Sequence, residues 1–216
     1  MVDKASLIAR WQALSADMDA RGVRLLAVSK YAPEESIACL AAAGQKDFAE
    51  SRPQQLRDRA QRWPELTWHF IGPLQHNKAK YIGRHADVWH SLCDIEMAHE
   101  VARYVEGRRL PVLLQVNISG EVQKQGVTAA GLPDLYRAVR KLEAFEIIGL
   151  MGMAAEGGDA RLSFRQLKAL QQKLLQEGVA DASLRELCMG MSGDYPVAIE
   201  EGATMVRLGT VLFGES

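Results

Sequence analysis

Short apolar segments alternate with amphipathic helical patterns along nearly the whole chain, and this alternation restricts the fold more than any other feature. Several segments are continuously apolar, which indicates parallel strands covered by helices on both faces. The eight strand-like segments span residues 25–29, 47–49, 67–71, 88–91, 111–116, 147–151, 186–189 and 205–208. Strands that alternate with helices in this way predict a protein of the α/β class.

Helical patterns separate these strands. They cover residues 33–44, 53–62, 75–84, 95–106, 132–143, 161–176 and 195–201. Before the first strand, Leu7, Trp11, Leu14 and Met18 recur at spacings of three and four residues and so form one face of a further helix. We therefore predict a single domain over residues 1–216, a (β/α)₈ TIM barrel with an extra N-terminal helix. A doubly wound open sheet is the alternative, because periodicity does not separate the two.

The composition argues against several classes of function. The 216 residues are 25% charged with a formal net charge of −1, so we expect no specific nucleic-acid binding. Cys39, Cys93 and Cys188 form no CxxC pair, which argues against a disulfide framework and a zinc site and favours a reducing compartment. The N-terminal segment has the pattern of neither a signal peptide nor a membrane span. We expect a cytoplasmic protein that holds no metal and binds no membrane.

A lysine closes the first strand. Lys30 follows the apolar segment 25–29, and in TIM barrels the functional residues lie at the carboxyl ends of the strands. The amine of a lysine placed there can attack an aldehyde and form a Schiff base. The alternative is a lysine whose side chain reaches solvent at the end of a strand.

Small and hydroxyl residues follow the last two strands. Ser192 and Gly193 come after strand seven, and Gly209 and Thr210 come after strand eight. Small residues let backbone N–H groups approach an anion closely, hydroxyls add donors, and these two loops are the common phosphate site of the fold. Together with Lys30, they predict a ligand that combines an aldehyde with a phosphate. The alternative is that the glycines only make tight turns.

Two further polar residues are weaker candidates for ligand contacts. His69 stands in the apolar strand 67–71, where a histidine is more often a core residue with its own hydrogen bonds. Asn117 follows the fifth strand, where an amide is also typical of a turn. The basic stretch 52–62 is interpreted as a solvated helix face, because it lacks the aromatic residues of a nucleic-acid platform.

Longer motifs make the chain resemble a known family. They are LLAVSKYAPEESI from Leu25, WHFIGPLQHNK from Trp68, LLQVNIS from Leu113, IIGLMGMA from Ile147 and MGMSGDYPVAIEEGATMVRLGTVLFG from Met189. With these motifs in the same order, the chain resembles the YggS/PROSC family of pyridoxal phosphate homeostasis proteins over about residues 25–214. The resemblance implies a barrel that binds pyridoxal 5′-phosphate (PLP), of the fold type III found in alanine racemase, without the β-domain of the racemases.

The resemblance also implies roles for individual residues. Lys30 matches the lysine that holds PLP as a Schiff base, and Arg207 matches the arginine that faces the pyridine nitrogen. The residues that match the phosphate-binding loops are Ser192, Gly193, Gly209 and Thr210, while Asn117 and His69 match pocket residues.

The chain departs from the family pattern at two positions. Ser51 stands where the family typically has an asparagine after the second strand, and Cys93 stands where it often has an aspartate after the fourth. These departures put one ligand contact and the affinity for PLP in doubt. Neither changes Lys30 or the phosphate loops, so binding itself is expected to persist.

The resemblance favours a PLP carrier over an enzyme. It implies a protein that buffers and delivers PLP and affects amino-acid and keto-acid balance, with PLP-dependent apoenzymes as partners. We expect a monomer. We also expect no robust turnover, because Arg207 disfavours a protonated pyridine nitrogen and so weakens PLP as an electron sink. The sequence also ends soon after the eighth strand, where the racemases continue into their β-domain. A PLP-dependent amino-acid racemase of low activity is one alternative, and a regulatory interaction protein that senses PLP as a ligand is another.

Overall fold

Eight parallel strands close into a barrel in the computed structural model, which describes residues 3–121 and 124–214. The last strand pairs with the first, with Leu26 opposite Arg207 and Ala27 opposite Leu208. This closure confirms the TIM barrel and excludes the open sheet. The strands are β1 (Arg24–Val28), β2 (Asp47–Glu50), β3 (Thr67–Phe70), β4 (Val88–Leu92), β5 (Leu110–Gln115), β6 (Phe145–Met151), β7 (Glu186–Cys188) and β8 (Met205–Leu208).

Helices connect the strands, as the periodicity predicts. They are α1 (Lys4–Arg21), α2 (Glu34–Ala43), α3 (Pro53–Arg62), α4 (Ala79–His85), α5 (Ile95–Ala102), α6 (Leu132–Arg140), α7 (Ala160–Gln176), α8 (Tyr195–Glu200) and α9 (Thr210–Phe213). Where one helix is predicted over 75–84, a 3₁₀ turn (His76–Lys78) precedes α4. Helices α5 and α6 end before residues 106 and 143, because their last turns tighten into i→i+3 hydrogen bonds such as Tyr104 N to Val101 O (3.0 Å).

The N-terminal helix α1 is attached to the barrel by both apolar and polar contacts. Leu7 and Met18 are buried, and the indole nitrogen of Trp11 donates to Gln45 Oε1 at 2.8 Å. Arg10 Nε donates to the carbonyl of Leu212 at 2.9 Å. Through Arg10, α1 holds the short helix α9 that follows the last strand.

The core has two layers. Large side chains such as Phe48, Trp68 and Phe70 are fully buried between strands and helices. A second cluster, which includes Leu26 and Met205, fills the inside of the barrel. Among residues 3–121 and 124–214, no helix has the length and apolar character that crossing a membrane requires.

Candidate functional site

A pocket opens at the carboxyl ends of the strands, where the fold predicts the functional site. Its volume is about 440 Å³, within the range typical of small-molecule sites. We call it the mouth pocket and define it by the six predicted cofactor-binding residues in its lining: Lys30, Ser192, Gly193, Arg207, Gly209 and Thr210. The structure therefore brings together six of the eight predicted site residues.

Lys30 lies in a tight turn that directly follows β1. The backbone N–H of Ala32 donates to the carbonyl of Ser29 at 2.8 Å, which closes the turn over residues 29–32. The Lys30 side chain is half-buried, and its Nζ lies 5.0 Å from the centroid of the exposed Tyr31 ring. Lys30 also lines a neighbouring cavity of about 590 Å³ between α1, α2 and α9. Lys30 thus stands on a wall shared by two cavities.

The loops after β7 and β8 meet at the hydroxyl of Ser192. Ser192 Oγ accepts hydrogen bonds from the backbone N–H groups of Gly209 and Val211, each at 3.3 Å. A side chain on Gly193 would meet nothing within 4 Å, so this residue faces open space. These two bonds use the lone pairs of Ser192 Oγ, so its hydrogen is the donor that suits this concavity beside the open Gly193 to an anion such as phosphate.

Gly190 allows this loop to leave β7. Its backbone is left-handed, with φ of +93°, and a Cβ there would lie 2.6 Å from the Cβ of Ala198. Both facts require glycine, because other residues rarely adopt this conformation and α8 packs directly against it. The side chain of Asp194 then accepts from the backbone N–H of Met191 at 2.6 Å and fixes the turn that contains Ser192.

Arg207 brings a buried positive charge to the pocket floor. Its side chain is only 4% exposed, and its Nη2 donates to the carbonyl of Gly152 at 3.2 Å. Its Nε is buried and has no hydrogen-bond partner among the described residues. An unpaired buried donor costs free energy, so this group is suited to an acceptor atom of a bound ligand.

His69 does not lie in the mouth pocket. Its ring is fully buried inside the barrel, where Nδ1 lies 2.8 Å from His90 Nε2 and Nε2 lies 2.9 Å from Asp47 Oδ1. Asp47 begins β2 and so belongs to the opposite end of the barrel. Both ring nitrogens are occupied there, so the prediction of a pocket role for His69 is not met by this geometry.

Asn117 also turns away from the pocket. Its Nδ2 donates to the carbonyls of Glu121 at 2.8 Å and Lys124 at 3.2 Å, and its Oδ1 accepts from Ser119 Oγ at 3.0 Å. The amide therefore holds together the loop after β5, which is the turn role that the sequence left open. Residues 122 and 123 of this loop lie outside the described residues.

The two departures from the family pattern lie in different surroundings. Ser51 lines the mouth pocket. Its backbone packs against Gly72 so closely that a Cβ on Gly72 would lie 2.0 Å from the Ser51 carbonyl oxygen. Cys93 is half-buried outside the lining described for the pocket, and burial together with Asp94 raises the pKa of its thiol. Ser51 is thus the departure that lies in the lining of the mouth pocket.

Sequence reasoning missed two amide residues of the pocket. Gln115 ends β5 with 3% of its surface exposed, and its Nε2 donates to the backbone carbonyl of Gln125 at 3.2 Å. Both line the mouth pocket. The signal was available for Gln115, since a polar residue ends an otherwise apolar strand. Within the described ranges, no cluster of three or more His, Cys, Asp or Glu side chains could hold a metal ion.

A protein-family model and relatives of known sequence place the chain in a family. The model for the alanine racemase N-terminal domain matches residues 2–216. A pyridoxal phosphate homeostasis protein of Vibrio cholerae is 41% identical over 204 residues, which cover 89% of this chain and 85% of that protein. One of Pseudomonas aeruginosa is 37% identical over 220 residues, which cover 99% of this chain and 93% of that protein.

Solved structures agree with this placement. PipY of Synechococcus elongatus with PLP bound is 34% identical with a TM-score of 0.85, and the match covers 96% of this chain and 100% of that one. An alanine racemase of Clostridium difficile shares the fold, with a TM-score of 0.73 at 15% identity over 90% of this chain and 52% of that one. These matches confirm the resemblance read from the sequence motifs: the chain belongs to the pyridoxal phosphate homeostasis protein family, which is built on the barrel of the alanine racemase N-terminal domain.

Proposed function

We propose that this chain binds PLP in the mouth pocket, holds it as a Schiff base on Lys30, and acts in PLP homeostasis. The observation that carries the proposal is the convergence of a lysine, an anion-binding concavity and a buried arginine on one pocket. These three groups match the aldehyde, the phosphate and the pyridine nitrogen of a single molecule. The PLP-bound structure of the relative PipY supports it.

Each group of the pocket has a distinct task in this proposal. Lys30 supplies the amine, and the segments around Ser192, Gly193, Gly209 and Thr210 supply the donors for the phosphate. The unpaired Nε of Arg207 is available to the ring nitrogen. When bound, PLP supplies a carbonyl carbon that passes between amines and a ring that withdraws electrons.

The lining of the pocket supports a carrier without robust turnover. Lys30 and Arg207 are the charged side chains among its described lining residues. A racemase that uses two bases needs a second acid–base group facing Lys30, and the described lining offers none. Arg207 cannot accept a proton, so it opposes protonation of the ring nitrogen. A racemase of low activity stays the alternative, tested by exchange of the α-proton of alanine in deuterated water.

A carrier must pass PLP on, so PLP-dependent apoenzymes are its proposed partners. The half-buried position of Lys30 supports this role, because an incoming amine reaches it without unfolding of the barrel.

We propose that the chain acts as a monomer. The cytoplasm is its proposed location, and the three free cysteines support a reducing compartment.

An absorbance titration with PLP tests the proposed function. The wild-type chain is expected to develop a Schiff-base band in the visible range, and Lys30→Ala is expected to lack it. Lys80→Ala removes an exposed lysine of α4 and serves as the matched control, which is expected to behave as wild type. An unchanged band in Lys30→Ala would overturn the assignment of the lysine, and no band in wild type would overturn PLP binding.

A further inference from the structure

A buried arginine from α3 holds the turn that presents Lys30. Arg59 Nη1 donates to the carbonyl of Ser29 at 2.7 Å, and Arg59 Nη2 donates to the carbonyl of Ala32 at 2.9 Å. These two carbonyls belong to the first and last residues of the turn 29–32. One planar guanidinium thus bridges both ends of the turn, with Lys30 between them. Arg59 is 6% exposed, which corrects the interpretation of residues 52–62 as a wholly solvated face.

A buried carboxylate orients the guanidinium. Glu50 ends β2 with no exposed surface, and its Oε1 forms an ion pair with Arg59 Nη1. The same Oε1 accepts a hydrogen bond from Ser29 Oγ at 2.5 Å. Ser29 is therefore held through its carbonyl by Arg59 and through its hydroxyl by Glu50. The arrangement links three elements, namely the end of β1, the end of β2 and helix α3.

The buried ion pair of Glu50 and Arg59 is not explained by a contribution to stability alone. Taking two charges out of water costs free energy that their attraction repays only with full hydrogen bonding. Glu50 Oε2 is buried with no partner among the described residues, and burial raises the pKa of the carboxyl group against the opposing effect of Arg59. An apolar core at this place would avoid these costs. What the ion pair adds is a fixed geometry of the turn.

We propose that Arg59, oriented by Glu50, is a positioning residue that fixes the turn 29–32 and so aims the Lys30 amine into the mouth pocket. This inference rests on the proposed function. A reacting amine must be held within a fraction of an ångström of its productive position. A turn closed by a single backbone hydrogen bond is less rigid than one whose two ends share a guanidinium. Loss of the planar guanidinium is therefore expected to make the position of the Lys30 amine less well fixed.

The test replaces the planar guanidinium of Arg59 and keeps its positive charge. Arg59→Lys retains a cation for Glu50, but an ammonium on a flexible stem does not reproduce a planar fork that bridges two carbonyls. The matched control is Arg108→Lys, because Arg108 Nη2 also donates to two carbonyls, those of Gly83 at 3.1 Å and Ala86 at 2.7 Å. Those carbonyls lie near the amino-terminal end of β4, away from the pocket.

Three quantities are measured for each variant: the free energy of unfolding, the dissociation constant for PLP, and hydrogen exchange of the turn 29–32 without PLP. We expect both variants to lose stability. Only Arg59→Lys is expected to bind PLP about tenfold or more weakly and to exchange the Ala32 amide faster in the PLP-free protein.

Each outcome decides for or against the inference. Equal PLP affinity and equal exchange in Arg59→Lys and Arg108→Lys would show that Arg59 only stabilises the fold. If Arg59→Lys does not fold, Glu50→Gln serves in its place, since it keeps the shape of the carboxylate and removes the charge that orients Arg59. Unchanged affinity and exchange in Glu50→Gln would then overturn the inference. Failure of the wild-type chain to bind PLP would instead overturn the proposed function, and the exchange measurement would still report on the turn.

Discussion

Ser192 Oγ and the backbone nitrogen of Gly209 lie 3.3 Å apart, and this hydrogen bond, together with the one from Val211 N, joins the loops after β7 and β8. The two residues are separated by 17 positions in sequence. Their contact places a hydroxyl and two backbone donors around the same small volume. This meeting point is where the proposal puts the phosphate of PLP.

Ser192→Ala is expected to weaken PLP binding by about tenfold, the effect of losing one hydrogen bond to a charged group. Pyridoxal, which lacks the phosphate, is expected to bind the variant and the wild type equally. Absorbance titrations with both ligands measure the difference. An equal loss for PLP and for pyridoxal would mean that Ser192 acts on the aldehyde end or on folding instead of the phosphate.

Arg207→Met separates binding from stability. The variant removes a buried charge with an unpaired Nε and replaces it with an apolar chain of similar length. We expect the free energy of unfolding to fall by no more than about 1 kcal/mol, because such replacements are often neutral or stabilising. PLP affinity is expected to drop by about tenfold or more. Urea unfolding measures the change in stability, and PLP titration measures the change in affinity. A variant that unfolds readily but still binds PLP normally would contradict both expectations.

His90 makes the free energy of unfolding depend on pH. Burial, followed by the charge of the neighbouring His69, holds the pKa of His90 well below its ordinary value of 6.5 in the folded chain. Below about pH 6.5 the unfolded chain therefore binds a proton that the folded chain does not, and stability falls as the pH falls. Between about pH 6 and pH 5, wild type is expected to lose roughly 1 kcal/mol more than His90→Asn. Parallel stability curves for the two chains would contradict this assignment.

Cys188 is expected to resist alkylation in the folded chain. Full burial inside the barrel raises the pKa of its thiol to about 11, and the thiolate is the reactive form. Treatment with iodoacetamide near pH 8, followed by peptide mass spectrometry, should modify Cys188 only after denaturant is added. The half-buried Cys39 serves as the internal control. Rapid modification of Cys188 without denaturant would show that the barrel opens readily.

The sequence predicts the architecture and most of the pocket because both follow from local patterns. Each strand shows as an apolar run, and a residue directly after such a run, as Lys30 is, must lie at the mouth of the barrel. The glycine and serine residues after β7 and β8 are visible in the same way. These features need only the order of elements along the chain and the geometry of the fold.

The surroundings of His69 and Arg59 depend on contacts between distant segments of the chain, which the sequence does not show. His69 lies on the predicted third strand, but its partners Asp47 and His90 come from two other strands. Arg59 looks like one of several basic residues on a helix, and only the folded chain shows that its guanidinium reaches Ser29. Periodicity reports which face of an element is apolar. It does not report which polar side chain finds a buried partner.

The amine of Lys30 is the proposed point of attachment of PLP. Borohydride reduction of the wild-type chain with PLP, followed by proteolysis and mass spectrometry, shows which lysine carries the cofactor. We predict one reduced phosphopyridoxyl group, located on the peptide that contains Lys30. A modified peptide that contains another lysine, with the Lys30 peptide unmodified, would contradict the account.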